Sequence, residues 1–135
     1  SVDSILVDSM PCIVIASNIQ VQPNLTDVAQ SNFVRIATYP INDSKDNDNN
    51  EIFISEIIID KKEITAWSPI ELNFHCDDYV ACCFNDNSMI ILSLPMLTVV
   101  SQRTLGFRVN HVNFHAPSST LIFTCSDGLI HYIKL

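Results

Sequence analysis

Glycine is nearly absent from this sequence, which has only Gly106 and Gly128. Phosphate-binding loops need several closely spaced glycines, and the serine elbow of hydrolases needs glycines on both sides of the nucleophile. Neither arrangement is present, so glycine-dependent nucleotide and acyl-transfer sites are excluded. The paired carboxylates Asp77 and Asp78 fall in a predicted exposed turn. We predict no catalytic residue, no cofactor and no enzymatic activity.

Positive charge is also scarce, with 7 Lys and Arg against 15 Asp and Glu and a net charge of −8. The bases are scattered, and only Lys61 and Lys62 are adjacent. A surface that follows the phosphates of a nucleic acid, or the headgroups of an acidic membrane, needs clustered bases. Direct binding of nucleic acid is therefore not expected. An acidic surface favours partner proteins whose own surface is basic or neutral.

Long apolar runs are missing as well. The nearest candidate for a membrane span, residues 89–100, contains Ser93 and Pro95 and is predicted to form two strands. The first ten residues lack the basic leader and apolar centre of a signal peptide. We expect an intracellular protein, cytoplasmic or nuclear, without a membrane span in this segment. The sequence starts at Ser1 rather than Met, and a preceding portion is expected.

The five cysteines are an odd number and include no CxxC motif. This pattern favours reduced, buried thiols in a cytosolic or nuclear protein over a disulfide framework. Among the four histidines, His111 and His115 are four apart, which on a strand separates them by about 13 Å. No Cys or His pair has the spacing of a zinc finger. We therefore predict no metal site.

The sequence does contain many short runs of Val, Ile, Phe, Tyr and Thr between Asn, Asp, Ser and Pro, which is typical of β-strands. Several runs, such as 12–16, 89–92 and 121–123, are apolar at consecutive positions, so both faces of each strand are expected to be covered. Antiparallel sheets stacked face to face satisfy this pattern. The predicted strands are 4–7, 12–17, 33–39, 52–59, 64–67, 71–74, 79–84, 88–94, 97–103, 109–114, 121–125 and 129–135, with 64–67 and 71–74 as either two strands or one bent strand.

An internal repeat organises the second half of the chain. The tripeptide NFH occurs at 73–75 and again at 113–115, and the following strands match at an offset of 40 that becomes 41. Each copy has a strand, a polar turn, a strand, a tight turn and a strand. Asp127-Gly128 predicts a two-residue hairpin because both residues tolerate positive φ, and Asp86-Asn87 occupies the matching place.

This repeat resembles a blade of the WD-repeat β-propeller family, whose units are about 40–45 residues long. The family's tryptophan and following aspartate are replaced by Ile133 and Lys134, and no Gly-His dipeptide precedes the blade. The family's buried hydrogen-bond network is therefore not implied, although Asp86 and Asp127 are expected to cap their turns. The positions that match the family pattern are Val109, Val112, Phe114, Pro117, Asp127, Gly128 and Ile130.

The resemblance implies an all-β chain of about three four-stranded antiparallel blades that belong to a larger ring. Residues 1–67 would be a degenerate blade with polar insertions at 18–32 and 41–50. Residues 68–104 would be a complete blade, and 105–135 a last blade without its outer strand. Propellers have about four to eight blades, so the remainder of the propeller or another chain is expected to close the ring.

Without site chemistry, the expected function is a protein–protein interaction scaffold within a larger eukaryotic complex. Trp67, Phe107 and Arg108 are the candidate partner contacts, and Asp86, Asn87, Asp127 and Gly128 are structural turn residues. Residues 84–94 and 130–135 also resemble the exchange-factor family for the small GTPase of COPII coats at the endoplasmic reticulum. That likeness makes nucleotide exchange one alternative, and a noncatalytic subunit of a nucleic-acid-processing assembly is another.

Overall fold

The computed structural model describes residues 2–7, 12–20, 32–40, 53–71 and 78–135, with backbone alone for 2–7 and Asp78. These residues form antiparallel sheets, so the prediction of an all-β antiparallel chain is confirmed. The first NFH copy, Asp77, residues 21–31 of one predicted insertion and the whole of the other lie outside the described residues. Within them, no helix is long and apolar enough to cross a membrane.

The described strands make three sheets, and in each sheet the strand order follows the order along the chain. Each sheet is therefore a meander of antiparallel neighbours. The first sheet contains β1 (Val2–Val7), β2 (Cys12–Ile19), β3 (Phe33–Pro40) and β4 (Ser55–Asp60). The second contains β5 (Ile64–Glu71), β6 (Asp78–Phe84), β7 (Ser88–Ser93) and β8 (Thr98–Thr104). The third contains β9 (Val109–His115), β10 (Thr120–Cys125) and β11 (Ile130–Lys134).

The second sheet is covered on both faces. Successive side chains of a strand point to opposite faces, and those of β6 and β7 divide accordingly between two separate cores. One core joins the second sheet to the first, and the other joins it to the third. The consecutive apolar residues at 79–84 and 89–92 thus belong to strands that lie between two cores. Val80, Cys82, Phe84, Ile90 and Leu92 face the first sheet, whereas Ala81, Cys83, Met89 and Ile91 face the third.

Polar side chains fix the first sheet against the second at two places. The side chain of Asn18 donates to the backbone oxygen of Ile64 at 3.1 Å and accepts from its N–H at 2.8 Å. The hydroxyl of Thr38, which is fully buried, donates to the backbone oxygen of Pro95 at 2.8 Å. These bonds satisfy groups that would otherwise be costly to bury, and they set the relative position of the two sheets.

The second sheet begins earlier than the segment boundary predicted at 67/68. Strand β5 starts at Ile64 and continues through Pro69 to Glu71, so the expected bent strand is a single strand as far as Glu71. Among the described residues its backbone pairs with β6 only, which makes β5 an edge strand of this sheet. Pro69 lacks an N–H but is tolerated there because an edge strand needs ladder bonds on one side alone. Lys61, with φ of 61°, turns the chain between the first and second sheets.

Both tight turns differ from the predicted two-residue hairpins. Gly128 N–H donates to the Cys125 oxygen at 3.1 Å, and Asn87 N–H donates to the Phe84 oxygen at 3.1 Å. Gly128 has φ of 81° and Asn87 has φ of 63°, while Asp86 and Asp127 do not have positive φ. This is the three-residue hairpin, in which a turn is followed by one left-handed residue. The prediction of a two-residue hairpin at each of these places is therefore wrong.

Because both faces of the second sheet are buried, shortening a side chain on either face should lower the free energy of unfolding. Leu92→Ala and Met89→Ala each remove a fully buried side chain, from the first and the second core respectively. Each substitution should lower the free energy of unfolding by about 2–5 kcal/mol, measured by urea denaturation. Val100→Ala, at a position 52% exposed on β8, is the control and should cost less than about 1 kcal/mol. A large cost for only one of the two buried residues would contradict the arrangement.

Candidate functional site

One end of the second and third sheets forms a continuous surface, here named the turn surface. It consists of the turn 85–87, the turn 126–128 and the connection 105–108 between the two sheets. Leu105 N–H donates to the Asn87 oxygen at 2.6 Å, and Ser126 N–H donates to the Arg108 oxygen at 3.1 Å. The connection is thus tied to both turns. The structure brings six of the seven residues singled out in the sequence to this one surface, with Trp67 as the exception.

Asp127 organises the turn of the third sheet. Its Oδ1 accepts the N–H of Leu129 at 2.8 Å, and its Oδ2 lies 3.3 Å from Nε2 of His131. The pKa of the Asp127 carboxyl lies below its usual value. The hydrogen bond from the Leu129 N–H is the largest cause, and His131 lowers the pKa further. Hydrogen bonds to the ionised form explain this direction, because they are lost when the carboxylate is protonated. The side chain therefore caps its own turn, and the left-handed Gly128 completes it.

Asp86 organises the matching turn of the second sheet. Its Oδ1 accepts from the hydroxyl and from the N–H of Ser88, the latter at 3.1 Å. Nζ of Lys62 lies 3.3 Å from Oδ2 of Asp86 and donates to the Ser88 hydroxyl at 3.0 Å. The Ser88 hydroxyl is the largest cause that lowers the pKa of Asp86, with smaller contributions from the Ser88 N–H and Lys62 and a partial offset by burial.

The connection presents the partly buried Phe107 and the exposed Arg108. The ring of Phe107 packs against Phe123, with centroids 5.7 Å apart, and stacks on His131 at 3.9 Å with an interplanar angle of 11°. Phe107 is therefore a packing residue that anchors the connection to the third sheet. Arg108 is exposed, and its guanidinium has no hydrogen-bond or ion-pair partner within the part of the chain that the structure describes.

Trp67 lies away from the turn surface. It is in the middle of β5, opposite Cys82, and packs partly buried against the core between the first and second sheets. Its surroundings are those of a core residue at the margin of that interface.

A shallow cleft of about 280 Å³ lies between β5 and β9, also away from the turn surface. Glu71 is its one charged lining residue, so the cleft brings together no pair of acid and base. The cleft is lined by Ser68, Pro69, Glu71, Asn113, Phe114 and Ala116.

Two residues of the turn network were not singled out in the sequence. Lys62 lies in the connection between the first and second sheets and contacts Asp86 in the turn of the second sheet. His131 lies on β11 and contacts Asp127 in the turn of the third sheet. The position of His131 has a signal in the sequence, because a hairpin with this spacing of Cys125, Asp127 and His131 brings all three side chains to its end. Lys62 has no such signal in the sequence, since its contact with Asp86 depends on the pairing of β5 with β6, which places residue 62 beside the turn 85–87.

The sequence matches no protein-family model and no curated protein.

The Asp86 network predicts a pH-dependent contribution to stability. A carboxyl whose folded pKa is lowered stabilises the fold above its unfolded pKa of about 3.9, and this contribution is lost as the pH falls through the folded pKa. Asp86→Asn keeps an acceptor for Ser88 but removes the charge. It should lower the free energy of unfolding at pH 7 by less than about 1 kcal/mol, because the half-exposed pair is screened by solvent.

Urea denaturation at pH 7 and near pH 2 measures this difference. The cost of Asp86→Asn should shrink at the lower pH, where more of the wild-type carboxyl is protonated. Asp60→Asn, at an exposed position at the end of β4, is the control. An equal cost of Asp86→Asn at both pH values would show that its charge contributes nothing.

Proposed function

We propose that this chain contributes three blades to a β-propeller of the WD-repeat type, which acts as a noncatalytic protein–protein interaction scaffold in a larger intracellular complex. The support for the architecture is the form of the sheets. Each is a meander in chain order, and β5 of the second sheet packs against β9 of the third. In a propeller each blade is such a meander, and the first strands of neighbouring blades adjoin around the central channel.

The exposed face of the third sheet supports a ring that extends beyond these sheets. Ile122, Ile130 and Tyr132 share this face, since Ile122 pairs with Tyr132 and the neighbouring Thr124 pairs with Ile130. They are 38%, 69% and 74% exposed. Among the described residues no strand pairs with the outer edge of β11. A further antiparallel blade, from the remainder of the propeller or from another chain, would cover this face as the third sheet covers the second.

The observation that carries the scaffold proposal is the turn surface. Its backbone is held by hydrogen bonds among both turns and the connection, while Arg108 projects from it without a partner in the described residues. A fixed loop platform with an available guanidinium is suited to binding another protein, because arginine is enriched among the residues that dominate interface energies. The net charge of −8 favours a partner whose surface is otherwise basic or neutral.

A quantitative pull-down from a homologous extract tests the proposal. Arg108→Glu should reduce recovery of the retained proteins by about 10-fold or more, the effect expected when an interface loses a dominant side chain. Arg103→Glu is the matched control, because Arg103 is also exposed but lies on β8, two residues before the connection and outside the turn surface. Its recovery should equal that of the wild type.

Two outcomes would contradict the proposal. Equal losses for the two arginine variants would show that binding follows net charge rather than the turn surface. Accelerated nucleotide release from the COPII small GTPase would instead support the exchange-factor interpretation. The nucleotide-release assay uses the same chain and needs no extract, so it distinguishes nucleotide exchange from the scaffold function directly.

A further inference from the structure

The hairpin between β10 and β11 brings together three side chains of different metal-binding chemistry. The Cys125 sulfur, a carboxylate oxygen of Asp127 and a ring nitrogen of His131 all lie within 4.8 Å of one another. Nε2 of His131 is 3.3 Å from Oδ2 of Asp127. We propose that these three residues bind one divalent transition-metal ion of the zinc class. The prediction that the chain has no metal site did not consider this combination of residues.

Strand register explains why the three side chains meet. His131 is paired with Phe123, so His131 and Cys125 lie diagonally on the same face of the hairpin. Asp127 folds back towards them because its Oδ1 accepts the N–H of Leu129 at 2.8 Å. That bond leaves Oδ2 facing His131. The turn and the strand pair thus determine the positions of all three donors.

The donor set fits zinc in both distance and chemistry. Zinc bonds of about 2.3 Å to sulfur and 2.0–2.2 Å to nitrogen or oxygen place tetrahedral donors about 3.5 Å apart. Because no two of the donor atoms are more than 4.8 Å apart, the largest separation would shorten by at most about 1.3 Å, shared between two side chains. A thiolate with an imidazole selects zinc over magnesium and calcium, which prefer oxygen ligands alone. Three protein ligands leave a fourth position for water.

The surroundings hold the ligands in place. Phe107 stacks on the imidazole of His131 at 3.9 Å, and Cys125 is 3% exposed. Asp127 is exposed and gives the ion a route from solvent. On binding, the Cys125 thiol gives its proton to solvent, so one thiolate and one carboxylate balance the two charges of the ion.

The preceding hairpin supplies an internal control. It has the same three-residue loop with Asp86 in place of Asp127, but Phe84 and Ile90 occupy the positions of Cys125 and His131. Asp127→Asn keeps an oxygen for the Leu129 N–H and removes the anionic ligand. Asp86→Asn makes the same chemical change in a turn that has no other metal ligand at these positions.

Titration with Co²⁺ under reducing conditions, followed by absorption spectroscopy, tests the site. One equivalent should produce a sulfur-to-cobalt charge-transfer band and visible ligand-field bands, and one equivalent of Zn²⁺ should remove both. Cys125→Ser should abolish the charge-transfer band. Asp127→Asn and His131→Gln should each weaken binding about 10-fold or more, since even outer-shell partners of metal sites contribute this much. Asp86→Asn and His111→Gln should bind as the wild type does.

Absence of the charge-transfer band in the wild type would overturn the proposal, and so would its persistence in Cys125→Ser, which would assign it to another thiol. Circular dichroism checks that each variant folds. If Cys125→Ser does not fold, the comparison of Asp127→Asn with Asp86→Asn decides, and equal affinities would overturn the proposal. The metal site is independent of the scaffold function, and either can fail without the other.

Discussion

Burial of both faces of the second sheet is the interaction on which the rest of the structure depends. Its two central strands contribute alternate side chains to two cores, and Phe84, Met89 and Leu92 are almost completely buried. Burying apolar area contributes about 25 cal/mol per Å², so a sheet covered twice has about twice the stabilising contact of a sheet with one face in water. Neither the first nor the third sheet is covered in this way within the described residues.

The position of the turn surface follows from this stacking. The connections that lead into and out of the second sheet are each tied to the tip of its hairpin. Glu63 exchanges bonds with Asn85, donating its N–H to Oδ1 at 3.1 Å and accepting from the Asn85 N–H at 2.9 Å. On the other side, Leu105 donates to Asn87. The loops are therefore held by the sheets, which is the property expected of a platform whose loops contact other molecules.

The strands could be predicted because their signals are local. Runs of β-branched residues ended by polar turns gave most strands to within a few residues. Consecutive apolar residues correctly indicated coverage of both faces at 89–92, but Ile122 in the run 121–123 is exposed, and the run 12–16 alternates between buried and partly buried positions. The hairpin geometry was predicted less well, because Asp and Asn permit positive φ without requiring it. At both turns the aspartate instead uses its side chain to accept a backbone N–H, and only the following residue is left-handed.

The side-chain networks could be predicted only in part. Asp86 and Asp127 were expected to cap their turns because aspartate accepts nearby backbone N–H groups. Lys62, in contrast, directly precedes β5 and contacts Asp86 because β5 pairs with β6, and no periodicity in the sequence encodes that contact. The meeting of Cys125 with His131 depends on register, which is fixed only once the length of the loop is known. Trp67 lies at the margin of the core between the first and second sheets, and its assignment as a partner contact stays a prediction.

Native-state hydrogen exchange measured by NMR tests the stacking of the sheets most directly. Amides of Cys82 and Ile91, in the two central strands, should exchange only through global unfolding, with a free energy equal to that from urea denaturation. Amides along β11, an edge strand in the described structure, should exchange through smaller local openings. If the amides of β6 and β7 exchanged as readily as those of β11, the second sheet would not be enclosed between two cores, and the account would be contradicted.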